Sequence, residues 1–417
     1  MFIFPLSRPP RCAASGFSLV EIMVGMVIGM LGLIIMMQVF TLSEGQKRAT
    51  TGGGDALTSG TIALFGLQRD IHQAGYGVSD PKLLGCSVLL RAGVTLNGIA
   101  PMTINHASIP AGDANTDTLL LVYGNSSGSP QGDGITAQPA TAGASVAPDI
   151  YAVQAPTSFT GADRVIATPQ NRATPCDLTL TSITGVGVGS SANVTVNAGT
   201  GVAGVSNGIL FNLGQAPRVL AYAIRGGNLT LCDYMVADCS NAASTGNATI
   251  WVPIANNIVS LKAQYGRDTM LGLTPLVTTM DGIVDWYDQT TPYGPSAITP
   301  SPPNPAPQGT AQPAPPMAPG ATAPSYQCAF ARIPAVRLAL VARSATFEKT
   351  AVTTAAPTWD GSAAHTPNPP TASDSIGWTA DPVDLSANAI WQNFRYRVIQ
   401  TVVPLRNVAW QGVPTGC

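Results

Sequence analysis

Glu21 is the residue whose surroundings most clearly require a charged partner, because it is the only ionisable side chain in an apolar run from Phe17 to Phe40. A charged group costs about 3 kcal/mol at the centre of a bilayer and less near a helix end, so the carboxylate needs a partner. Cleavage after Gly16 would supply one. The new α-amine of Phe17 would lie four residues before Glu21, on the same helix face.

The run itself has the length of a membrane-spanning helix, which needs about 20 mostly apolar residues. An ordinary secretory signal has a shorter apolar region and a small-residue cleavage site behind it, and neither is present here. A plain membrane anchor would explain the length but not the residues around Gly16. Basic residues both precede and follow the run, so the positive-inside rule does not determine its orientation.

The stretch Gly16-Phe17-Ser18-Leu19-Val20-Glu21 resembles the type IV prepilin signature G-F-[ST]-L-[IV]-E at every position. This resemblance implies that residues 1–16 are a leader removed by a prepilin peptidase. It also implies N-methylation of Phe17 and a role for Glu21 in the entry of subunits into the filament. Residues 17–42 would form the transmembrane helix.

Cysteine usage predicts an oxidised, exported domain. The chain has seven cysteines, and Cys12 lies in the leader, which leaves an even set of Cys86, Cys176, Cys232, Cys239, Cys328 and Cys417. Six cysteines allow 15 connectivities, so the pairing stays open, with Cys232 and Cys239 the favoured local pair. The spacing is not that of a metal site, and we expect no metal and no cofactor.

Beyond the membrane run, apolar residues continue at helical spacing to about Gln73, which predicts a continuation of the same helix over residues 43–77. Gly52-Gly53-Gly54 is its weak point, because glycine disfavours helix. Gly75 and Gly77 are stop signals. Residues 78–417 then form the globular head, interrupted by a Pro-rich insert at 291–325 that contains twelve prolines and builds no core.

Within the head, apolar alternation and turn residues predict a succession of strands without intervening helices. The predicted strands are Ser87–Arg91, Thr118–Tyr123, Arg164–Thr168, Leu178–Thr184, Asn193–Val196, Ile209–Leu213, Arg218–Ile224, Asn228–Leu231, Thr249–Val252, Ile258–Tyr265, Ala335–Arg343 and Phe394–Val403. Loops are predicted at Gly124–Pro148 and Thr350–Ser375. The fold class is therefore α+β and pilin-like: a long N-terminal helix, transmembrane in its first half, packed on a mainly antiparallel β-sheet head with long loops.

Four later blocks resemble the PilW family of type IV pilus minor pilins. They are Leu67–Tyr76 with Gly85-Cys86, Val259–Gly266 with Asp281–Tyr287, Ile333–Arg343 and Tyr396–Asn407. The resemblance implies a minor pilin of the complex that primes the pilus or caps its tip. Its implied partners are the prepilin peptidase, other minor pilins, the major pilin and a tip adhesin. Its implied location is the inner membrane of a Gram-negative bacterium, with a periplasmic head, and then the pilus, or fimbrium, on the cell surface.

Two related functions remain as alternatives: a minor pseudopilin of type II secretion, similar to GspJ, and a DNA-uptake pilin. A net charge of −2 argues against nucleic-acid binding, although five arginines (Arg337, Arg343, Arg395, Arg397 and Arg406) could cluster. Alternation at period two places Arg337, Arg343, Arg395 and Arg397 on outer sheet faces. Arg69 and Asp70 are expected to be solvated charges. No catalytic motif is present, and we expect no enzyme activity.

Overall fold

The computed structural model describes residues 16, 18–139, 147–173, 175–187, 192–268, 282, 284, 286–288, 330–359 and 381–411. The chain divides into two compact units, Met1–Gly52 and Gly53–Cys417. The Pro-rich insert 291–325 lies outside the described residues, as do most of the predicted loop Thr350–Ser375 and the cysteines Cys328 and Cys417.

One helix, α1 (Leu19–Gln73), contributes to both units and confirms the prediction of a long helix ending near Gln73. It continues through Gly52–Gly54 without a break, although each glycine costs about 1 kcal/mol relative to alanine. Gly75 and Gly77, with φ of +89° and +75°, turn the chain away after its end. A short second helix, α2 (Arg406–Ala409), follows the last strand.

The strands of the head, in chain order, are β1 (Ser87–Arg91), β2 (Val94–Leu96), β3 (Met102–Ile104), β4 (Leu119–Tyr123), β5 (Asp133–Ala137), β6 (Ile150–Val153), β7 (Arg164–Thr168), β8 (Asp177–Val186), β9 (Asn193–Val196), β10 (Ile209–Gly214), β11 (Arg218–Arg225), β12 (Asn228–Asp233), β13 (Val252–Asn256), β14 (Ile258–Arg267), β15 (Trp286–Asp288), β16 (Ala335–Arg343), β17 (Thr358–Trp359), β18 (Asp381–Pro382) and β19 (Tyr396–Pro404).

The largest sheet closes on itself. Its order is β2-β1-β8-β7-β10-β5-β6-β9, and β9 also pairs with β8, so β5 to β10 form a six-stranded barrel. Apolar side chains such as Tyr151, Val165 and Leu210 fill its interior. All these pairings are antiparallel except that of β1 with β8, which is parallel. The long strand β8 makes closure possible because its ten residues pair with β1, β7 and β9.

Two further sheets enclose the part of α1 that belongs to the head. One has the order β13-β12-β11-β4-β3 and the other β15-β14-β16-β19, while β17 and β18 form a separate pair. Leu64, Leu67 and Ile71 of α1 share one core with residues of both sheets, including Tyr222 and Leu338. This core is the reason that the second half of α1 is amphipathic.

The α+β prediction is therefore too simple in one respect: the head contains a barrel and several sheets, not one mainly antiparallel sheet. Local alternation cannot distinguish these arrangements, because strands of a barrel and of an open sheet share the same period of two. The predicted strand Thr249–Val252 is wrong, since the strand starts at Val252. The predicted loop Gly124–Pro148 contains β5.

Candidate functional site

Helix α1 begins at Leu19, close to residue 17, where the sequence predicts the start of the transmembrane helix. The carbonyl of Ser18 accepts the backbone N–H groups of Glu21 at 3.0 Å and Ile22 at 3.2 Å, so Ser18 stands at the start of the helix. Glu21 lies in the first turn, where the positive end of the helix dipole favours a carboxylate. Phe17 lies outside the described residues, so its amine remains only a predicted partner of Glu21.

The apolar side chains of α1 from Leu19 to Leu42 are exposed around the whole helix circumference. The most apolar 18-residue window has a mean hydropathy of 2.5, and no part of it is buried. A surface helix of a soluble domain would show a polar face. By length and composition, this segment is suited to cross a membrane.

The end of α1 is fixed by residues that are far apart in the sequence. The side-chain amide of Asn407 in α2 donates to the carbonyls of His72, Gln73 and Ala74, at 3.4, 3.0 and 3.1 Å. The last carbonyls of a helix have no donor within the helix, so Asn407 acts as a C-terminal cap for them. The carbonyl of Gln73 also accepts the backbone N–H of Tyr76 at 3.2 Å. His72 Nδ1 also donates to the carbonyl of Pro404 at 3.2 Å.

Asp70 provides a second attachment. Its side chain is buried, and Tyr222 of β11 donates its hydroxyl to Oδ2. Tyr123 of β4 donates to Oδ1 at 3.4 Å, and Arg69 lies 3.3 Å from the same oxygen. Burial, and then the negative charge of Asp70, raise the pKa of Tyr123 to about 12 and raise the pKa of Tyr222 as well. Both tyrosines are therefore neutral donors to the acid. The prediction that Asp70 is a solvated charge is wrong.

The arginines do not assemble into one basic surface. Arg337 is buried on the β16 face that carries Trp359, with its guanidinium 5.4 Å from the Trp359 ring and 3.2 Å from Gln400. Arg343 lies over Phe394, and Arg395 lies 3.7 Å from Glu348. Arg397 is exposed and approaches Gly53 of α1. The outer-face prediction is wrong for Arg337, because Trp359, Val383 and Leu385 cover that face.

Two disulfides are present among the described residues. Cys86 pairs with Cys176, which joins the start of β1 to the start of β8. Cys232 pairs with Cys239, as expected from their short separation of 7 residues. The state of Cys328 and Cys417 remains a prediction. In the described ranges, no group of three or more His, Cys, Asp and Glu side chains is arranged to hold a metal ion.

The four blocks singled out in the sequence meet in this region. Gln68 donates to Thr401 at 2.9 Å, and a Cβ at Gly60 would overlap Ile399, so α1 crosses β19 closely. Leu67, Leu261, Leu338 and Val403 share the same core. Sequence reasoning missed the roles of Asp70 and Asn407. The one available signal was an acid three residues before the end of a helix, where the dipole disfavours it.

A membrane-suited N-terminal helix whose second half is embedded in a β-rich head defines a pilin-like, membrane-anchored protein. Comparison with protein families agrees: residues 11–37 match the prokaryotic N-terminal methylation motif, and residues 230–407 match type IV pilus-assembly protein W. Residues 230–407 of the head are thus similar to the PilW family, and together the two matches support a minor pilin of type IV pilus assembly. No curated protein and no solved structure matches it.

Proposed function

We propose that this minor pilin acts in the complex that primes the pilus and occupies its tip, together with other minor pilins and the major pilin, and with a tip adhesin as a further partner. It acts by binding other proteins and not by catalysis. The observation that carries the proposal is the apolar surface of α1. Leu57, Ile62 and Phe65 remain 51%, 66% and 70% exposed on the head part of the helix. Such side chains gain about 25 cal/mol per Å² when a neighbouring subunit covers them.

Processing precedes assembly in this proposal. The prepilin peptidase of the inner membrane cleaves after Gly16, and Phe17 is then methylated. The chain spans the inner membrane once, with its head in the periplasm, and later leaves with the pilus for the cell surface. Gly16 and Ser18, which precede α1, are both exposed, and this supports access of the peptidase. Mass spectrometry of mature protein should find methylated Phe17 as the first residue. A terminus downstream of Phe40 would contradict the proposal.

Glu21 is the residue that we expect to control entry into the filament. Once α1 is surrounded by other apolar helices, its carboxylate needs the Phe17 amine of its own or an adjacent subunit, because an unpaired buried charge is destabilising. Glu21→Ala should insert in the membrane and be cleaved normally, yet be absent from sheared pili. Glu44→Ala, beyond the apolar run of the same helix, is the matched control and should be incorporated. Normal incorporation of Glu21→Ala would exclude this role.

Placement in the priming and tip complex requires a separate experiment. Deletion of the gene should strongly reduce the number of surface pili, and complementation should restore it. Immunogold labelling should place the protein at pilus ends. Labelling along the whole filament, with normal pilus number in the deletion strain, would contradict the proposal. Secretion of type II substrates should be unchanged, whereas a secretion defect would favour the pseudopilin alternative, which the family match does not favour.

A further inference from the structure

Strand β19 is an open sheet edge of unusual regularity. It pairs with β16 over all nine of its residues, Tyr396 to Pro404, without a bulge. In the described part of the chain, no strand pairs with its other side. The other open edges are protected in the ways that proteins normally use: β2, β3 and β15 have three residues each, and β13 contains Pro253 and a bulge. Long, regular edges invite pairing with another chain.

The hydrogen-bonding groups on that edge can be assigned from the ladder. Ser344 donates its N–H to the carbonyl of Arg395, and Leu405 donates its N–H to the carbonyl of Pro334. The backbone N–H and C=O groups of the odd-numbered residues from 395 to 405 therefore point toward β16. Backbone groups alternate in direction along an antiparallel strand. The N–H and C=O groups of Val398, Gln400 and Val402 therefore point away from β16, toward the open edge. They make no backbone hydrogen bond among the described residues.

The helix provides one wall beside this edge. Gly53, Gly60 and Gln68 approach Arg397, Ile399 and Thr401 of β19, respectively. Leu57 follows Gly53 by four residues and Phe65 precedes Gln68 by three, so both lie on the same side of α1. These two side chains are 51% and 70% exposed. A strand added to β19 would cover them with every second side chain.

We propose that the edge of β19 is a docking site for an extended segment of another pilin-like subunit, which adds a strand to the four-stranded sheet. The incoming segment carries apolar side chains at alternate positions, facing Leu57 and Phe65, and an acidic side chain facing Arg397. Main-chain hydrogen bonds to Val398, Gln400 and Val402 provide affinity, and the alternate side chains provide specificity. This proposal rests on the proposed function in one respect: the partner is another subunit of the same pilus.

Charge favours a different chain over a second copy as the occupant. β19 reads Tyr-Arg-Val-Ile-Gln-Thr-Val-Val-Pro and contains no acid. Arg397 lies within β19 and Arg406 follows it, so two copies paired edge to edge would add basic side chains to this edge without offering an acid from either strand. Like charges opposite each other destabilise strand pairs, whereas opposite charges stabilise them.

The test uses Val402→Pro in the full chain. Val402 is 49% exposed, and its N–H points outward, so proline removes an edge donor while leaving the ladder with β16 intact. Val402→Thr keeps both the N–H and the branched shape and is the matched control. Each variant is co-expressed with the other minor pilins, and the detergent-solubilised complex is isolated. We expect Val402→Pro to associate roughly tenfold more weakly, which is equivalent to the loss of one or two hydrogen bonds. Val402→Thr should associate as tightly as the unmodified chain.

Amide hydrogen exchange supplies a readout that does not depend on the variant. In the isolated full chain, the amides of Val398, Gln400 and Val402 should exchange quickly while those of Ile399 and Thr401 exchange slowly. In the complex, the first three should become at least tenfold slower. Unchanged exchange in an intact complex would overturn the proposal, whatever happens to pilus number. A photocrosslink from position 402 to a second copy of this chain would also overturn it, and one to a strand of another pilin would support it.

Discussion

Removing the hydroxyl of Tyr222 tests the attachment of α1 to the head most directly. Tyr222→Phe deletes the donor to Asp70 Oδ2 without changing the packing of the ring. Tyr222 is 1% exposed and Asp70 is 6% exposed, so water cannot replace the lost hydrogen bond. A hydrogen bond to a charged group contributes about 1.5–3 kcal/mol. Asp70 also lies near the negative end of the helix dipole, which makes its carboxylate more dependent on its hydrogen-bond donors.

We therefore expect Tyr222→Phe to lower the free energy of unfolding by about 2 kcal/mol. Tyr123→Phe is the matched control. Its hydroxyl donates to the same carboxylate over 3.4 Å, and its loss should cost well under half as much. Urea unfolding of the detergent-solubilised full chain, monitored by tryptophan fluorescence, gives the free energy of unfolding of both variants. The dependence of that free energy on urea concentration should be the same for both.

A double-mutant cycle with Asp70→Asn isolates the interaction itself. The coupling energy between positions 70 and 222 should exceed that between positions 70 and 123. If Tyr222→Phe costs no more than Tyr123→Phe, the carboxylate is not held by Tyr222 and the reasoning is refuted.

Three further predictions concern the cap, a buried histidine and the cysteines. Asn407→Ala should lower the thermal midpoint, and Asn407→Asp should lower it more, because a carboxylate would face the carbonyls of His72 to Ala74; equal midpoints would contradict the cap. His106 donates from Nε2 to the carbonyl of Asn97 and accepts at Nδ1 from Ser108, and burial lowers its pKa below the usual 6.5. The contribution of neutral His106 to the free energy of unfolding should therefore be complete above pH 6.5 and decrease below it, by up to about 1.4 kcal/mol per pH unit. His106→Gln should abolish this decrease when the free energy of unfolding is measured between about pH 5 and 7.5. Alkylation of the denatured, unreduced mature protein should label no cysteine; labelling of Cys328 and Cys417 alone would show that only the two described disulfides form.

The attachment of α1 has a consequence for how the head transmits force. Asn407 and Asp70 join the last turns of the helix to α2 and to β4 and β11, and Gln68 joins it to β19. The contacts of Gln68 and Asn407 bring together residues 333 and 334 positions apart, and those of Asp70 span 53 and 152 residues. A load applied through α1 is therefore shared by two sheets and not by one loop.

Much of this protein follows from its sequence alone. The run from Phe17 to Phe40 and the motif around Gly16 predict the membrane helix and the class of protein, because bilayer crossing and peptidase recognition depend on local composition and spacing. Gly75 and Gly77 predict the end of α1 because only local backbone conformation is involved. Strands such as Arg164–Thr168 and Ala335–Arg343 were predicted at their observed bounds, since alternation is also a local property.

The tertiary structure decided what depends on pairing across long separations. Closure of β5 to β10 into a barrel requires β8 to meet both β7 and β9, and nothing within β8 encodes two partners. Asp70 is buried, not solvated, because Tyr222 lies 152 residues away in sequence yet donates to it. The open edge of β19 is visible only once the order β15-β14-β16-β19 is known, because a strand's own residues do not reveal whether it has one neighbour or two.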